Sequence, residues 1–311
     1  MKLDIGYWMT NGKVDDGMHQ KGKVHIVEVT ARDGFQILPR VIPLEVKREF
    51  IQSLLDAGCS EIQAGSFVNP KWVPQMQYTA ELCDYFRPPQ KAVMTYMVPN
   101  LRGAQNAIDA GAAHFSLTIS ASEKHSRDNV NRTVDEAMAD AVEVAKLAKE
   151  RGVTCRGSIA TAFGYAADPD GVSIERVIGM IEALEAAGFA AINMSDTSGD
   201  AHPDHVFELC SRATKATSLP LSVHLHQADG VEFANLYAAF QAGIRAFESA
   251  AGGLGGCPFA KGAKGNVATE KLVELFHAMG YDTGIDLERI RVAAAWAKQI
   301  QVDYGTPECT A

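Results

Sequence analysis

The sequence predicts an α/β protein, a (β/α)8 TIM barrel with an extra C-terminal helical region. Three observations predict it. Short, β-rich apolar runs alternate with longer helical patterns eight times in regular order, and eight is the count that closes a parallel barrel. The first run is followed by Thr30-Ala31-Arg32-Asp33-Gly34, not by the glycine fingerprint that opens a nucleotide-binding doubly wound sheet. Polar residues gather where the runs end, which is where a barrel builds its active site.

The elements follow in order. The first run, 25–29, leads to a helical stretch over 43–57, with Pro43 suited to a first turn and Gly58 to a C-terminus. A second run at 61–64 precedes a helix over 73–85. A third at 92–98 precedes a helix over 100–110 that stops at Gly111. The fourth run, 114–119, is followed by a long helix over 133–151, where Thr133-Val134-Asp135-Glu136 has the form of a capping box. Runs at 154–159, 190–194, 221–226 and 245–249 alternate with helices over 173–187, 203–216, 231–242 and 269–279. A last helix over 287–299 is an addition beyond the eight units. Residues 1–22 show no period and read as an irregular arm. Residues 23–311 read as one barrel domain with its C-terminal helical addition.

At 311 residues, with 47% hydrophobic and 22% charged residues, the chain has ordinary globular composition and length for a sizeable core. A net charge of −9 argues against nucleic acid or an anionic membrane as a main partner. The opening MKLDIGYWMT has no apolar signal core, and no stretch is long and apolar enough for a membrane span. The expectation is a cytoplasmic protein. Its six cysteines, Cys59, Cys83, Cys155, Cys210, Cys257 and Cys309, are scattered without paired spacing and read as reduced thiols.

The sharpest local signal is His224-Leu225-His226. Residues i and i+2 of a strand share a face, so two imidazoles can converge on a metal. The alternative is a pair of hydrogen-bonded histidines in the barrel mouth. Asp33 offers a hard carboxylate and Asn266 an amide oxygen; with two imidazoles this donor set suits Mg²⁺ or Mn²⁺ better than zinc. The stretch Ala251-Gly252-Gly253-Leu254-Gly255-Gly256-Cys257-Pro258 reads either as a flexible surface loop or as a lid carrying a reactive thiol. No Lys-Ser/Thr pair follows it, as a P-loop would require.

Several of these stretches carry a family resemblance. Val27 to Gln36, Ser66 to Met76, Gly253 to Pro258 and Gly262 to Glu270 resemble 3-hydroxy-3-methylglutaryl-CoA lyases, within the wider DRE-TIM metallolyases. The resemblance runs from about residue 24 to the C-terminal helix. It implies a barrel, a divalent metal held by Asp33, His224, His226 and Asn266, and catalytic roles for Arg32, Cys257, Asp196, Glu28 and His224. It also implies an acyl-CoA substrate and a homo-oligomer, a dimer by family habit. The reaction it implies breaks the C2–C3 bond of a 3-hydroxyacyl-CoA to leave acetyl-CoA and a keto product.

Three departures stand out. Gln63 replaces a glutamate usual at the end of strand two, Gln227 replaces an aspartate after the histidine pair, and Ile37-Leu38-Pro39 replaces a polar run. They point to a changed substrate shell around an intact reaction core. The competing readings are a related metal-dependent aldolase or condensing enzyme on a 2-keto acid, and a non-catalytic barrel. The second of these requires a lost site, whereas the six main site residues are all present.

Overall fold

The computed structural model describes residues 22–87, 92–228, 230–256 and 265–305. The arm expected over 1–22 therefore lies, Gly22 apart, outside the described residues, as do Cys257 and Cys309. Eight strands close into a barrel in chain order. They are β1 (His25–Glu28), β2 (Glu61–Ser66), β3 (Val93–Val98), β4 (His114–Ser120), β5 (Thr154–Ala160), β6 (Ala191–Ser195), β7 (Leu221–His224) and β8 (Ala246–Ser249). Every pairing is parallel. The barrel closes where His25 pairs with Ala246 and Glu28 with Ser249.

The helices are α1 (Leu44–Asp56), α2 (Thr79–Tyr85), α3 (Leu101–Asp109), α4 (Glu123–Val130), α5 (Val134–Arg151), α6 (Ile174–Ala187), α7 (Pro203–Ala216), α8 (Glu232–Gln241), α9 (Thr269–Ala278) and α10 (Leu287–Tyr304). Their starts follow local chemistry. Asn100, Ser122, Thr133, Ser173 and Asp286 each accept a backbone N–H of the first turn. At Thr133 the anticipated capping box forms: its hydroxyl accepts Glu136 N at 3.1 Å, and Glu136 accepts Thr133 N at 2.9 Å. The added α10 packs on α1, with Trp296 against Phe50 at 5.7 Å between ring centroids. It also lies against the turn Ala251–Gly253, so the glycine-rich stretch leaves β8 from a supported base.

The core sits between strands and helices. Phe115, Leu117, Ile119, Ile192 and Phe247 are buried there with the inner faces of the helices. Each such side chain contributes roughly 1.5–3 kcal/mol on burial. The barrel interior differs: Gln63 on β2 donates to Ser116 on β4 at 3.2 Å, and Arg156 on β5 reaches Glu61 on β2 and Glu248 on β8. Ser222 donates to Asn193 at 2.9 Å. Most barrels fill this space with branched apolar residues; here much of it is polar.

The structure departs from the sequence reading in three places. The helix expected over 73–85 divides into a 3₁₀ turn at Pro74–Met76 and α2, because Thr79 is bound by Ser66 O at 2.9 Å and Met76 O at 2.8 Å. Helix α4 was not anticipated; it is one short polar segment, capped by Ser122 and ended by left-handed Asn131. Strand β7 ends at His224, and His226 instead forms an isolated antiparallel bridge with Asn266.

Candidate active site

Strand β1 does not run into an ordinary loop. Thr30–Gly34 forms a π-helical turn in which the N–H groups of Arg32, Asp33 and Gly34 all point to Val29 O, at 3.2, 2.7 and 3.3 Å. Such turns recur at functional sites because the wider ring re-aims side chains. This one places Arg32 and Asp33 over the mouth. Glu28 anchors it. Its fully buried carboxylate accepts Thr30 N at 3.0 Å, Thr30 Oγ1 at 2.5 Å, Ala251 N at 2.7 Å and Thr269 Oγ1 at 3.2 Å. Burial pushes its pKa up to about 7 against those donors. Glu28 thus clamps the exit of β1 to the exit of β8.

Arg32 donates from Nε to Gln63 Oε1 and from a terminal nitrogen to Asp33 Oδ1. Gln36, which sequence reasoning did not single out, donates to the same Asp33 oxygen at 3.0 Å. Asp33 Oδ2 accepts Asn266 Nδ2 at 2.7 Å. Burial raises the Asp33 pKa, but Arg32, both histidines and the Asn266 bond outweigh it and hold the carboxyl below its ordinary value.

The two imidazoles meet as the sequence spacing predicted, with His224 Nε2 and His226 Nε2 at 3.0 Å. His224 Nδ1 pairs with Glu248 Oε2 at 2.9 Å. Burial depresses the His224 pKa, yet the Glu248 bond and the nearby Asp33 raise it overall. His226 and Asn266 are brought together by their backbone bridge, supported by Val267 N donating to Leu225 O at 3.3 Å. Gly255 completes the arrangement. Its φ is +114°, and a Cβ there would lie 2.3 Å from Asn266 Nδ2 and 3.0 Å from Asp33 Oδ2. Only glycine lets the loop backbone rest on this pair.

The residues fit a divalent cation by chemistry. Both N–H donors of Asn266 face acceptors, Asp33 Oδ2 and Leu254 O at 2.8 Å, which fixes the amide orientation. Its Oδ1 is then buried and has no hydrogen-bond partner. A buried amide oxygen left unsatisfied beside a carboxylate and two imidazoles is what a hard or borderline cation uses. Among the described residues, no three His, Cys, Asp or Glu side chains already close on one point. The oxygens of Asp33 are turned onto Arg32, Gln36 and Asn266.

Asp196, at the end of β6, is fully buried. Its Oδ1 accepts Asp200 N at 2.9 Å and Ala201 N at 3.3 Å, its Oδ2 has no partner, and its backbone N–H donates to His224 O at 2.8 Å. Burial raises its pKa to about 6. Cys257 lies outside the described residues; Cys59, Cys83, Cys155 and Cys210 are buried free thiols.

The three departures divide. Gln63 faces the reaction core through Arg32. Gln227 does not: its amide donates to Asn266 O at 3.0 Å and Gly253 O at 3.3 Å, tying down the glycine-rich stretch. An aspartate has no N–H to make those bonds. Leu38 is buried, and Gln75 donates to Leu38 O at 2.9 Å, so the middle of 37–39 is anchored to the core while Ile37 and Pro39 are exposed. Glu248 and Arg156 were missed by sequence reasoning. Their signal was a charge at an inward position of a short barrel strand.

Comparison with known proteins agrees with the barrel fold. Residues 23–296 match the HMGL-like family. The chain is 35% identical over 278 residues to a hydroxymethylglutaryl-CoA lyase of Bacillus subtilis, covering 89% of this chain and 93% of that one. It is 38% identical over 290 residues to the (R)-citramalyl-CoA lyase of Chloroflexus aurantiacus, covering 88% and 89%. The structure of an HMG-CoA lyase from Acinetobacter baumannii in complex with coenzyme A and 3-methylmalate superposes with a TM-score of 0.85 at 33% identity, covering 92% of this chain and 93% of that one. With a closed eight-stranded barrel, a π-turn presenting Arg32 and Asp33, and this coverage, the chain belongs to the HMGL-like family.

Proposed function

We propose that this carbon–carbon lyase cleaves the C2–C3 bond of a carboxylated 3-hydroxyacyl-CoA, such as 3-hydroxy-3-methylglutaryl-CoA, to acetyl-CoA and a keto acid. The reading is carried by one observation: Asp33, Asn266, His224 and His226 gather at one mouth with Asn266 Oδ1 buried and unpartnered. Asp33, His224, His226 and Asn266 would hold Mg²⁺ or Mn²⁺. A bound divalent cation supplies Lewis acidity toward the substrate's C3 hydroxyl.

The chain's own groups do the rest. Asp196, whose Oδ2 has no partner, would take the proton that the C3 hydroxyl loses as C3 becomes a carbonyl, and His224 would orient that hydroxyl beside it. The C2–C3 electron pair moves into the thioester as an enolate. Arg32, fixed at two points, offers its remaining guanidinium edge to the developing oxyanion. The enolate carbon then needs a proton, and Cys257 supplies it. Glu28 acts by holding the π-turn against Ala251 and Thr269.

This reading makes the protein a cytoplasmic homo-oligomer, a dimer by family habit, taking a small-molecule acyl-CoA. Among the described residues no helix is long and apolar enough to cross a membrane. The test is mass-spectrometric product analysis with 3-hydroxy-3-methylglutaryl-CoA and citramalyl-CoA in Mg²⁺ or Mn²⁺. Acetyl-CoA with acetoacetate or pyruvate supports the reading; intact thioesters from both substrates refute it.

A further inference from the structure

A line of buried polar side chains crosses the barrel interior and ends on a proposed ligand. His25 Nε2 on β1 lies 2.8 Å from Glu61 Oε2 on β2. Arg156 on β5 donates to Glu61 Oε1 with one terminal nitrogen and to Glu248 Oε1 on β8, at 3.5 Å, with the other. Glu248 Oε2 meets His224 Nδ1 at 2.9 Å, and His224 Nε2 faces His226 Nε2 at 3.0 Å. Five strands contribute. Glu61, Arg156, Glu248 and His224 are 1%, 8%, 5% and 6% exposed.

Stability does not account for this arrangement. Buried ion pairs and triads are often matched or exceeded in stability by apolar residues of similar volume, because desolvation offsets their attraction. The line does have one property that an apolar filling lacks. With Oε2 of Glu248 accepting the Nδ1 proton, the Nε2 lone pair of His224 is directed to the side where His226, Asp33 and Asn266 gather. Glu248 can hold that pose only if its own carboxylate is fixed. Arg156 fixes it from across the barrel, and is itself anchored by Glu61.

We propose that Glu248 and Arg156 are positioning residues for the cation site, fixing the tautomer and ring orientation of His224. The inference rests on the metal reading above. It assigns to this site an outer partner on the far wall of the barrel, through the sequence Glu61–Arg156–Glu248–His224. Outer partners of this kind typically set metal affinity by about 10- to 100-fold.

The experiment titrates Mn²⁺ into metal-free protein, followed by electron paramagnetic resonance, with long-range ¹H–¹⁵N spectra of ¹⁵N-histidine-labelled protein. Wild type and Asp33→Ala are compared first. Equal Mn²⁺ affinity in those two refutes the metal reading itself. If they differ, Glu248→Gln, whose single oxygen is held by Arg156 so that its amide N–H faces His224 Nδ1, is expected to weaken Mn²⁺ about 10- to 100-fold and to lose the Nδ1–H signature of His224. Arg156→Lys keeps the charge and leaves Glu248 in place, but a single ammonium cannot hold both carboxylates. It is expected to lose several-fold affinity and guards against misfolding of the first variant. Mn²⁺ affinity within twofold of wild type in either folded variant overturns the proposal. So does an unchanged His224 signature in Glu248→Gln, because the loss would then belong to charge alone.

Discussion

Replacing Gln63 by glutamate changes one atom type at the centre of the site. Gln63 is 2% exposed. Its Oε1 accepts Arg32 Nε, and its Nε2 donates to Ser116 Oγ at 3.2 Å. Glutamate keeps the volume and the bond to Arg32, and Ser116 can reverse its hydroxyl to donate, so packing survives. The electrostatics do not. Arg32 already pairs with Asp33; a second carboxylate would take up the charge it offers the developing enolate. At an effective dielectric of about 20, a unit charge within several ångströms of that enolate interacts by roughly 2 kcal/mol. Placed in the transition state, that is about 30-fold in kcat. Gln63→Glu is therefore expected to cut kcat about 30-fold on the acyl-CoA the wild type prefers, with a smaller change in KM. The assay follows acetyl-CoA release from a panel of 3-hydroxyacyl-CoAs differing at C3. Gln63→Met, neutral and similar in length, removes the bond to Arg32 without adding charge: a loss there well below that of Gln63→Glu leaves the effect with the charge. Profiles within twofold for wild type and Gln63→Glu refute the reasoning and end Gln63's claim to set specificity.

Four further outcomes are expected. Gly255→Ala forces a Cβ onto Asn266 Nδ2 at a φ of +114°; it should lower stability by about 1–3 kcal/mol and weaken Mn²⁺ binding, and a normal Mn²⁺ titration would show that the loop does not rest on this pair. Glu28 has a folded pKa of about 7 against an ordinary 4.5, so its contribution is fully present below about pH 4.5 and fades as pH rises through 7. Urea denaturation should show wild type losing about 3 kcal/mol relative to Glu28→Gln between those limits; parallel curves would refute it. Asp33→Ala or His226→Ala should abolish tight divalent binding, and chelated wild type should regain activity with Mg²⁺ or Mn²⁺; a chelator-resistant wild type would remove the cation from the mechanism. Cys257→Ser should cut turnover about 100-fold or more while Mn²⁺ affinity is unchanged, and near-normal turnover would return this thiol to a passive role.

The barrel was legible because its signal is repeated. Eight alternations of β-rich run and helix tolerate error at any one boundary, and the capping residue Thr133 announced its helix locally. The histidine pair was legible because a two-residue spacing fixes a shared face, even though His226 lies just past the strand. What escaped depends on chain approaches that one segment cannot encode. The π-turn after β1 exists because Glu28 receives donors from Ala251 and Thr269, more than 200 residues away. The role of Gln227 is set by the carbonyls of Gly253 and Asn266. In the sequence its substitution reads as a change in the substrate shell; in the fold its amide anchors the glycine-rich loop. Helix α4 escaped for a different reason: its face is polar and short, and Ser122 is its only strong start signal.

The two faces of the barrel wall carry separate duties, and this separation bears on how such a site is kept. Outward strand residues such as Phe115, Ile192 and Phe247 are packed beneath the helices and supply the burial that holds the fold. Inward residues are tied between strands: Arg156 reaches Glu61 and Glu248 across the lumen, Gln63 bonds Ser116 on β4, and Ser222 bonds Asn193 on the neighbouring strand. A buried polar network is costly unless its members are satisfied, and most of its named bonds here join one strand to another. A change at one member therefore disturbs partners on other strands as well as its neighbours in sequence. At Gln63 a substitution disturbs little, because glutamine and glutamate share a shape and Ser116 can donate as well as accept. A carboxylate-to-amide exchange there alters the charge around Arg32 while leaving the lattice of contacts intact. Position 63 is therefore a place where the charge facing Arg32 can change with little disturbance of the barrel interior.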